Sequence, residues 1–161
     1  MTDNTHYITD GKLSIKLGAT STTQEHTLGT RASGNNGTVW RYVLATAAVT
    51  AYDVVAFPNT WIIQPATGTL VATGYNVGFA QVAFAAGEYG WICTEADKIT
   101  VNVSATTTAA VQLYVASTSG KLSTTTGSGT LEGVFVDATI STTAAVTATT
   151  AIARAPKYKV L

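Results

Sequence analysis

Residues able to do acid–base, nucleophilic or metal chemistry are few in this chain and scattered along it. Two histidines and one cysteine cannot by themselves supply the four ligands of a structural zinc site. His6 and His26 lie in the polar N-terminal stretch, away from the aromatic runs, and read as solvated or interface residues. Cys93 closes the run Tyr89-Gly90-Trp91-Ile92-Cys93. A period of two places it on one face with Tyr89 and Trp91. A reactive thiolate needs a cation or a helix N-terminus beside it, and neither is near in sequence, so Cys93 reads as a small buried apolar residue. Glu95 and Asp97 form a tight carboxylate pair next to Lys98. A calcium loop needs more oxygen ligands and a glycine at the bend, so 95–97 reads as a turn between two strands. Asp53 and Arg41 are expected to pair structurally across neighbouring strands. Glu88, Glu132 and Asp137 are scattered, and nothing singles them out as a glycosidase pair.

Nucleotide and hydrolase motifs fail on spacing. Gly120-Lys121 has Val115 where a phosphate loop needs its first glycine, and Leu122 where it needs Ser or Thr. Gly127-x-Gly129 is followed by Gly133, the wrong interval for a dinucleotide loop, and no Gly-x-Ser-x-Gly elbow occurs. The reading is therefore no catalytic residue, no cofactor site and no metal site: not an enzyme. Trp40, Trp61 and Trp91 all fall inside strand-like runs, which assigns them to a core or an interface rather than to a loop-borne sugar platform.

The elements that would position any site are strands. The chain has 161 residues, one ordinary domain in length. It carries 31 Thr, 25 Ala and 16 Val, a surplus that suits pleated strands better than long helices. Charged residues make up 11%, against roughly 25% in an average globular domain. Nine basic residues balance nine acidic ones, which argues against nucleic acid or an anionic membrane as partner. Met1–His6 has neither a basic nor an apolar region of the kind an export signal needs, and no apolar run reaches membrane-spanning length. The Asn-x-Ser/Thr triplets at Asn36 and Asn102 are accordingly read as chance.

Two regions are expected. Residues 1–37 form an extended N-terminal arm, and residues 38–161 a β-sandwich or barrel, jelly-roll-like. Within the arm, Asp10-Gly11 predicts a type I′ turn, and Lys12–Leu17 alternates strictly. Leu13, Ile15 and Leu17 fall on one face; Lys12, Ser14 and Lys16 fall on the other. Such a hairpin needs a surface to lie on. Tyr7, Ile8, Lys12, Leu13, Ile15, Lys16 and Leu17 are therefore the expected contacts with a neighbouring subunit. Residues 18–37 read as loop, with a second turn at Asn35-Asn36-Gly37.

From Thr38 onward the expected strands are 38–45, 50–57, 60–64, 69–73, 75–84, 88–94, 98–103, 109–116, 133–140 and 144–154. Ala85-Ala86-Gly87 predicts a short turn. Residues 123–130 read as a low-complexity loop, and Pro58, Pro65 and Pro156 as run ends. Several strands are apolar on both faces. In 75–84, Tyr75, Val77, Phe79 and Ala83 share one face and Ala80, Val82 and Phe84 the other, so a second covering is needed: an extra layer or another subunit. Residues 54–87 run 34 positions without a charge, and 99–120 another 22. Uncharged β-segments of that length are aggregation hazards unless an assembly covers them.

Three stretches carry a resemblance: Leu28-Gly29-Thr30-Arg31-Ala32-Ser33-Gly34-Asn35-Asn36-Gly37-Thr38-Val39-Trp40-Arg41-Tyr42-Val43; then Val77 through Ile92, with Gly78-Phe79-Ala80-Gln81 and Ala85-Ala86-Gly87-Glu88-Tyr89-Gly90-Trp91; then, in order, Ala109-Ala110-Val111-Gln112-Leu113-Tyr114, Gly120-Lys121-Leu122 and Gly133-Val134-Phe135. In texture and motif order, over roughly residues 28–155, the chain resembles the capsid decoration, or cement, proteins of tailed-bacteriophage heads. The resemblance implies a β-rich fold, often a homotrimer, bound to the outside of the shell where major capsid subunits meet. It implies a place on the exterior of the virion head after synthesis in the host cytoplasm. That family has no fixed active-site motif, so no residue role transfers. The expected function is thus a shell-stabilising structural protein. The alternative is a tail- or fibre-type domain that recognises a receptor or glycan through exposed aromatics.

Overall fold

The computed structural model describes residues 7, 15–104, 111–124, 130–136 and 146–159. The fold is nearly all β. In chain order the elements are β1 (Arg31–Ser33), β2 (Val39–Ala45), β3 (Val54–Phe57), β4 (Ile62–Pro65), α1 (Gly68–Ala72), β5 (Asn76–Ala80), β6 (Tyr89–Val103), β7 (Gln112–Val115), β8 (Leu122–Ser123), β9 (Thr130–Val136) and β10 (Val146–Lys159).

Five strands close into a barrel in the order β2-β4-β3-β5-β6, and β6 pairs back onto β2 through Tyr42↔Trp91 and Leu44↔Tyr89. β2 and β4 run parallel; the other barrel pairs are antiparallel. Closure removes the free edges that long uncharged strands would otherwise expose. β6 is 15 residues long and continues beyond the barrel. There it carries a second sheet, β6-β10-β9-β7-β8, and β8 returns to β6 at Val103↔Leu122.

Strand alternation explains the two cores. All five barrel strands contribute to an inner cluster of Val43, Ala45, Val55, Phe57, Ile63, Ala80 and Ile92, joined by Val49 and Phe84. The residues between them point outward, and Trp40, Tyr42, Val54, Ala56, Val77, Phe79, Trp91 and Cys93 join Ile99, Val101, Val103, Leu113, Leu122 and Leu131 of the second sheet. The strands are therefore buried on both faces, and the chain itself supplies the second covering. The inner space is narrow. A Cβ on Gly78 would lie 2.7 Å from Ile92 Cδ1, and one on Gly90 2.7 Å from Phe84 Cε1. These two glycines make room for large side chains across the barrel.

Several expectations change. Residues 69–73 are not a strand. They overlap α1, one helical turn whose N-cap Thr67 accepts the Leu70 N–H through its hydroxyl. A local cap outweighed β propensity over so short a run. Glu95-Ala96-Asp97 is not a turn either. The chain passes straight through it as β6 leaves the barrel, with a register shift opposite Val39/Trp40. A bulge bends one strand from one sheet into the next without reversing it. Residues 18–37 are not all loop: β1 pairs with β2, and Ser21 bridges Tyr89. The Asn36-Gly37 turn between β1 and β2 has positive φ at both positions, 53° and 69°, as a type I′ turn requires. Pro156 does not end its run. It lies inside β10 at the register break between Ala153 and Lys157, where a missing N–H is tolerated.

Candidate functional site

The N-terminal segment lies over the outer face of β2 and β6. Ser21 and Tyr89 exchange backbone hydrogen bonds at 3.0 and 2.8 Å; Gly29 N–H donates to Tyr42 O, and Tyr42 N–H to Thr30 O. The Tyr42 hydroxyl accepts the Glu25 N–H at 2.9 Å. His26 sits edge-on against both Tyr42 and Trp91, with ring centroids 5.1 and 5.3 Å away. That makes it a packing residue of the strap. Lys16, Thr20, Ser21, Glu25, Tyr42 and Tyr89 border a shallow cleft of about 170 Å³ there. A neighbouring cleft of about 250 Å³ opens between Leu17, Trp40, Tyr52 and Gln81. Both are smaller than the roughly 300–1,000 Å³ of ordinary ligand sites.

The expected contact residues divide. Tyr7 is 59% exposed, with its backbone pinned to Asn35: its N–H donates to Asn35 Oδ1, and its carbonyl accepts the Asn35 N–H. Lys16 is exposed. Leu17 is buried in the outer core and Ile15 packs against it, so these two are anchors for the chain's own barrel and not for a neighbour. From residue 15 the expected arm therefore lies on the domain, because Ile15 and Leu17 find apolar partners within the chain. Ile8, Lys12, Leu13 and the Asp10-Gly11 turn lie outside the described residues.

The tryptophans divide as well. Trp40 and Trp91 are core residues, 0% and 2% exposed, and Trp40 Nε1 donates to Thr38 Oγ1 at 3.0 Å. Trp61 is half-buried at the barrel end, with φ 62°, a left-handed conformation uncommon for a large side chain. It stacks on Phe57, lies beneath the Arg41 guanidinium at 5.0 Å, and fills the space beside Gly29. Arg41 donates to Gly29 O at 2.9 Å. The expected Arg41–Asp53 pair does not form, because Arg41 is drawn to the Trp61 face.

Asp53 is instead the centre of a buried polar knot that sequence reasoning missed. It is 5% exposed and Asn102 is 4% exposed. Asp53 Oδ1 accepts from Asn102 Nδ2 at 2.8 Å, and Oδ2 from the Thr50 N–H at 3.1 Å. Asn102 Nδ2 also donates to Ala51 O at 2.9 Å. Burial pushes the Asp53 carboxyl above its ordinary range, opposed by the Asn102 and Thr50 hydrogen bonds and by the Lys121 charge. The available signal was Asp53, a lone acid in the otherwise uncharged run 50–57, which needs a partner if that strand is buried. Cys93 is buried as expected; its thiol donates to Glu95 O at 3.2 Å, and burial pushes it up to about 12. Among the described residues, no group of three or more His, Cys, Asp or Glu side chains comes together.

Compared with known proteins, the chain matches no family model and no curated protein.

Proposed function

We propose that this chain is a shell-binding structural protein, a capsid decoration or cement protein that joins neighbouring subunits of a bacteriophage head from the outside. The observation that carries the reading is how the polar and reactive groups are disposed. The barrel interior is filled, the one thiol is buried and held protonated, and the buried acid is enclosed in a knot. What such a chain binds, it binds with its surface. That surface is poor in charge and rich in Thr, Ser and Ala. The resemblance of residues 28–155 to decoration proteins points the same way. The partners on this reading are the major capsid protein and further copies of the chain, as a homotrimer at sites of three-fold contact. Tyr7 and Lys16, with Ile8, Lys12 and Leu13, are the contacting residues. Many identical weak sites then act together on one shell.

The glycan-binding alternative is less well supported, since Trp40 and Trp91 are enclosed in the core and a sugar platform needs an open aromatic face. The test is co-sedimentation with emptied, undecorated heads, together with the mass in solution by light scattering. Saturable binding by a small-integer oligomer is expected. A well-behaved free oligomer that leaves heads bare would overturn the reading and direct attention to glycans.

A further inference from the structure

The turn between β1 and β2 carries two adjacent residues able to react with each other. Asn36 and Gly37 are both exposed, in the positive-φ conformations of a type I′ turn. Of six asparagines, only Asn36 precedes a glycine; the others precede Thr, Val or Asn, whose side chains crowd the following backbone nitrogen. The hydrogen bonds of the turn leave the reacting atoms out. Thr38 N–H and the Thr38 hydroxyl both donate to Asn35 O, at 3.1 and 2.8 Å, and Gly34 N–H donates to Thr38 O at 2.8 Å. Asn35 Oδ1 accepts the Tyr7 N–H, and Asn35 N–H donates to Tyr7 O. Among the described residues, no partner engages the Asn36 carboxamide or the Gly37 N–H. Other asparagine amides are occupied: Asn102 donates to Asp53 in the buried knot, and Asn76 donates to Asn59.

We infer that Asn36-Gly37 is a self-modifying turn: the Gly37 nitrogen attacks Asn36 Cγ, and water converts the residue to aspartate and isoaspartate. Hydroxide takes the Gly37 N–H proton. The N–Cγ bond forms and the Cγ–Nδ2 bond breaks. Nδ2 leaves as ammonia with a proton from water, which restores the hydroxide. A second water then opens the cyclic imide. Opening at Cγ gives an aspartate at position 36. Opening at the backbone carbonyl carbon gives isoaspartate, with the main chain rerouted through Cγ. Nothing is oxidised or reduced. Covalent adjacency supplies the effective concentration, and Gly37 has no Cβ to shield its nitrogen. The aspartate adds a charge and keeps the turn, since Asp-Gly also suits type I′. The isoaspartate inserts a methylene between Asn35 O and Thr38 N, and the two-residue turn is lost. Asn35 then loses its grip on Tyr7, and the Thr38 hydroxyl that accepts from Trp40 Nε1 loses its anchor. Ageing of the turn thus releases Tyr7, whatever the chain binds.

Incubation of the purified full chain in mildly alkaline buffer, followed by intact mass and peptide mapping, tests this, with a mildly acidic sample as control. The alkaline sample is expected to gain about 1 Da, ammonia exchanged for water. The gain should lie in the tryptic peptide Ala32–Arg41, which should split into two new products. Asn36→Asp has no ammonia to lose at that position and should keep its mass. A folded wild-type protein that holds its mass in alkali would overturn the proposal, as would an equal gain in Asn36→Asp. Hydrogen exchange reads the structural consequence. The Tyr7 and Gly34 amides should exchange faster in the isoaspartate fraction than in fresh wild-type protein or freshly purified Asn36→Asp. Equal protection in all three would overturn the release of Tyr7.

Discussion

The inside of the barrel and the joint between barrel and second sheet solve one problem in opposite ways. Inside, Val43, Val55, Phe57, Ile63, Phe84 and Ile92 meet with no polar side chain among them. Fit is the whole of the interaction there, and glycines at 78 and 90 set the room available. At the joint, by contrast, Asp53 and Asn102 are buried deliberately enough to satisfy each other, with backbone donors and acceptors completing the set. An apolar core tolerates sliding between similar packings. A polar knot tolerates one arrangement, since every alternative leaves a buried group unpaired. Apolar burial on both faces of the barrel strands supplies stability without a fixed polar geometry, while the knot fixes how the second sheet is attached.

The largest effects should come from the inside. Phe84→Ala removes a ring that packs across Gly90 and is expected to cost about 3–5 kcal/mol, read as a fall in the urea midpoint at constant slope. Gly78→Ala approaches the same interior from the opposite direction. Its new methyl meets Ile92 and the Cys93 carbonyl at 2.7 and 3.2 Å, and overpacking of this kind costs about 1–3 kcal/mol. Gly90→Ala should be similarly harmful alone and much less so in the Phe84→Ala background, since the deleted ring is what it strikes. Strict additivity of that pair would break the account of a tight interior.

The joint gives intermediate effects with a pH signature. Asp53→Ala removes the carboxylate that accepts from the Asn102 amide and the Thr50 N–H and is expected to cost about 1–3 kcal/mol. Asp53→Asn keeps the shape and removes the titration, which isolates the ionisation. Folding raises the Asp53 pKa above its ordinary 3.8, so the folded state holds that proton more tightly than the unfolded chain does. The resulting contribution is fully present below the unfolded value and is lost as pH rises through the folded one. Denaturation of both proteins across a pH series should therefore show wild type losing ground to Asp53→Asn as pH increases. A trend of the opposite sign would mean that the Asn102, Thr50 and Lys121 interactions outweigh burial.

The two regions also differ in how far they were legible. Alternation within 38–45, 50–57 and 75–84 exposed both apolar faces of the barrel strands, and with them the need for two coverings, because period two is written locally. Which strand covers which is a matter of long-range pairing, so neither closure of β6 onto β2 nor its passage through Glu95-Ala96-Asp97 was visible. Polar residues there looked like a turn, yet Ala96 is 4% exposed and the bulge beside Val39 absorbs the bend. The knot was the least legible part. Asp53 and Asn102 are 49 positions apart, and nothing local distinguishes Asn102 from an ordinary strand amide. Arg41 was the plausible partner by charge alone, but a guanidinium can be satisfied by an indole face and a carbonyl, and Trp61 and Gly29 supply both.

The smallest stability effects belong to the surface, where binding and packing can be told apart. Tyr7 is held through its backbone, so Tyr7→Ala keeps both hydrogen bonds to Asn35 and discards only an exposed ring. Lys16→Ala likewise removes an exposed charge. Each is expected to change stability by less than about 0.5 kcal/mol, whereas truncating Leu17, next to Lys16 but buried, should be felt throughout the domain. If the N-terminal surface is the docking face, the double variant Tyr7→Ala/Lys16→Ala should bind undecorated heads more weakly while melting with the wild-type protein. Unchanged binding would move the contact elsewhere on the surface. A substantial loss of stability would show that these side chains, like Ile15 and Leu17, serve the chain's own packing.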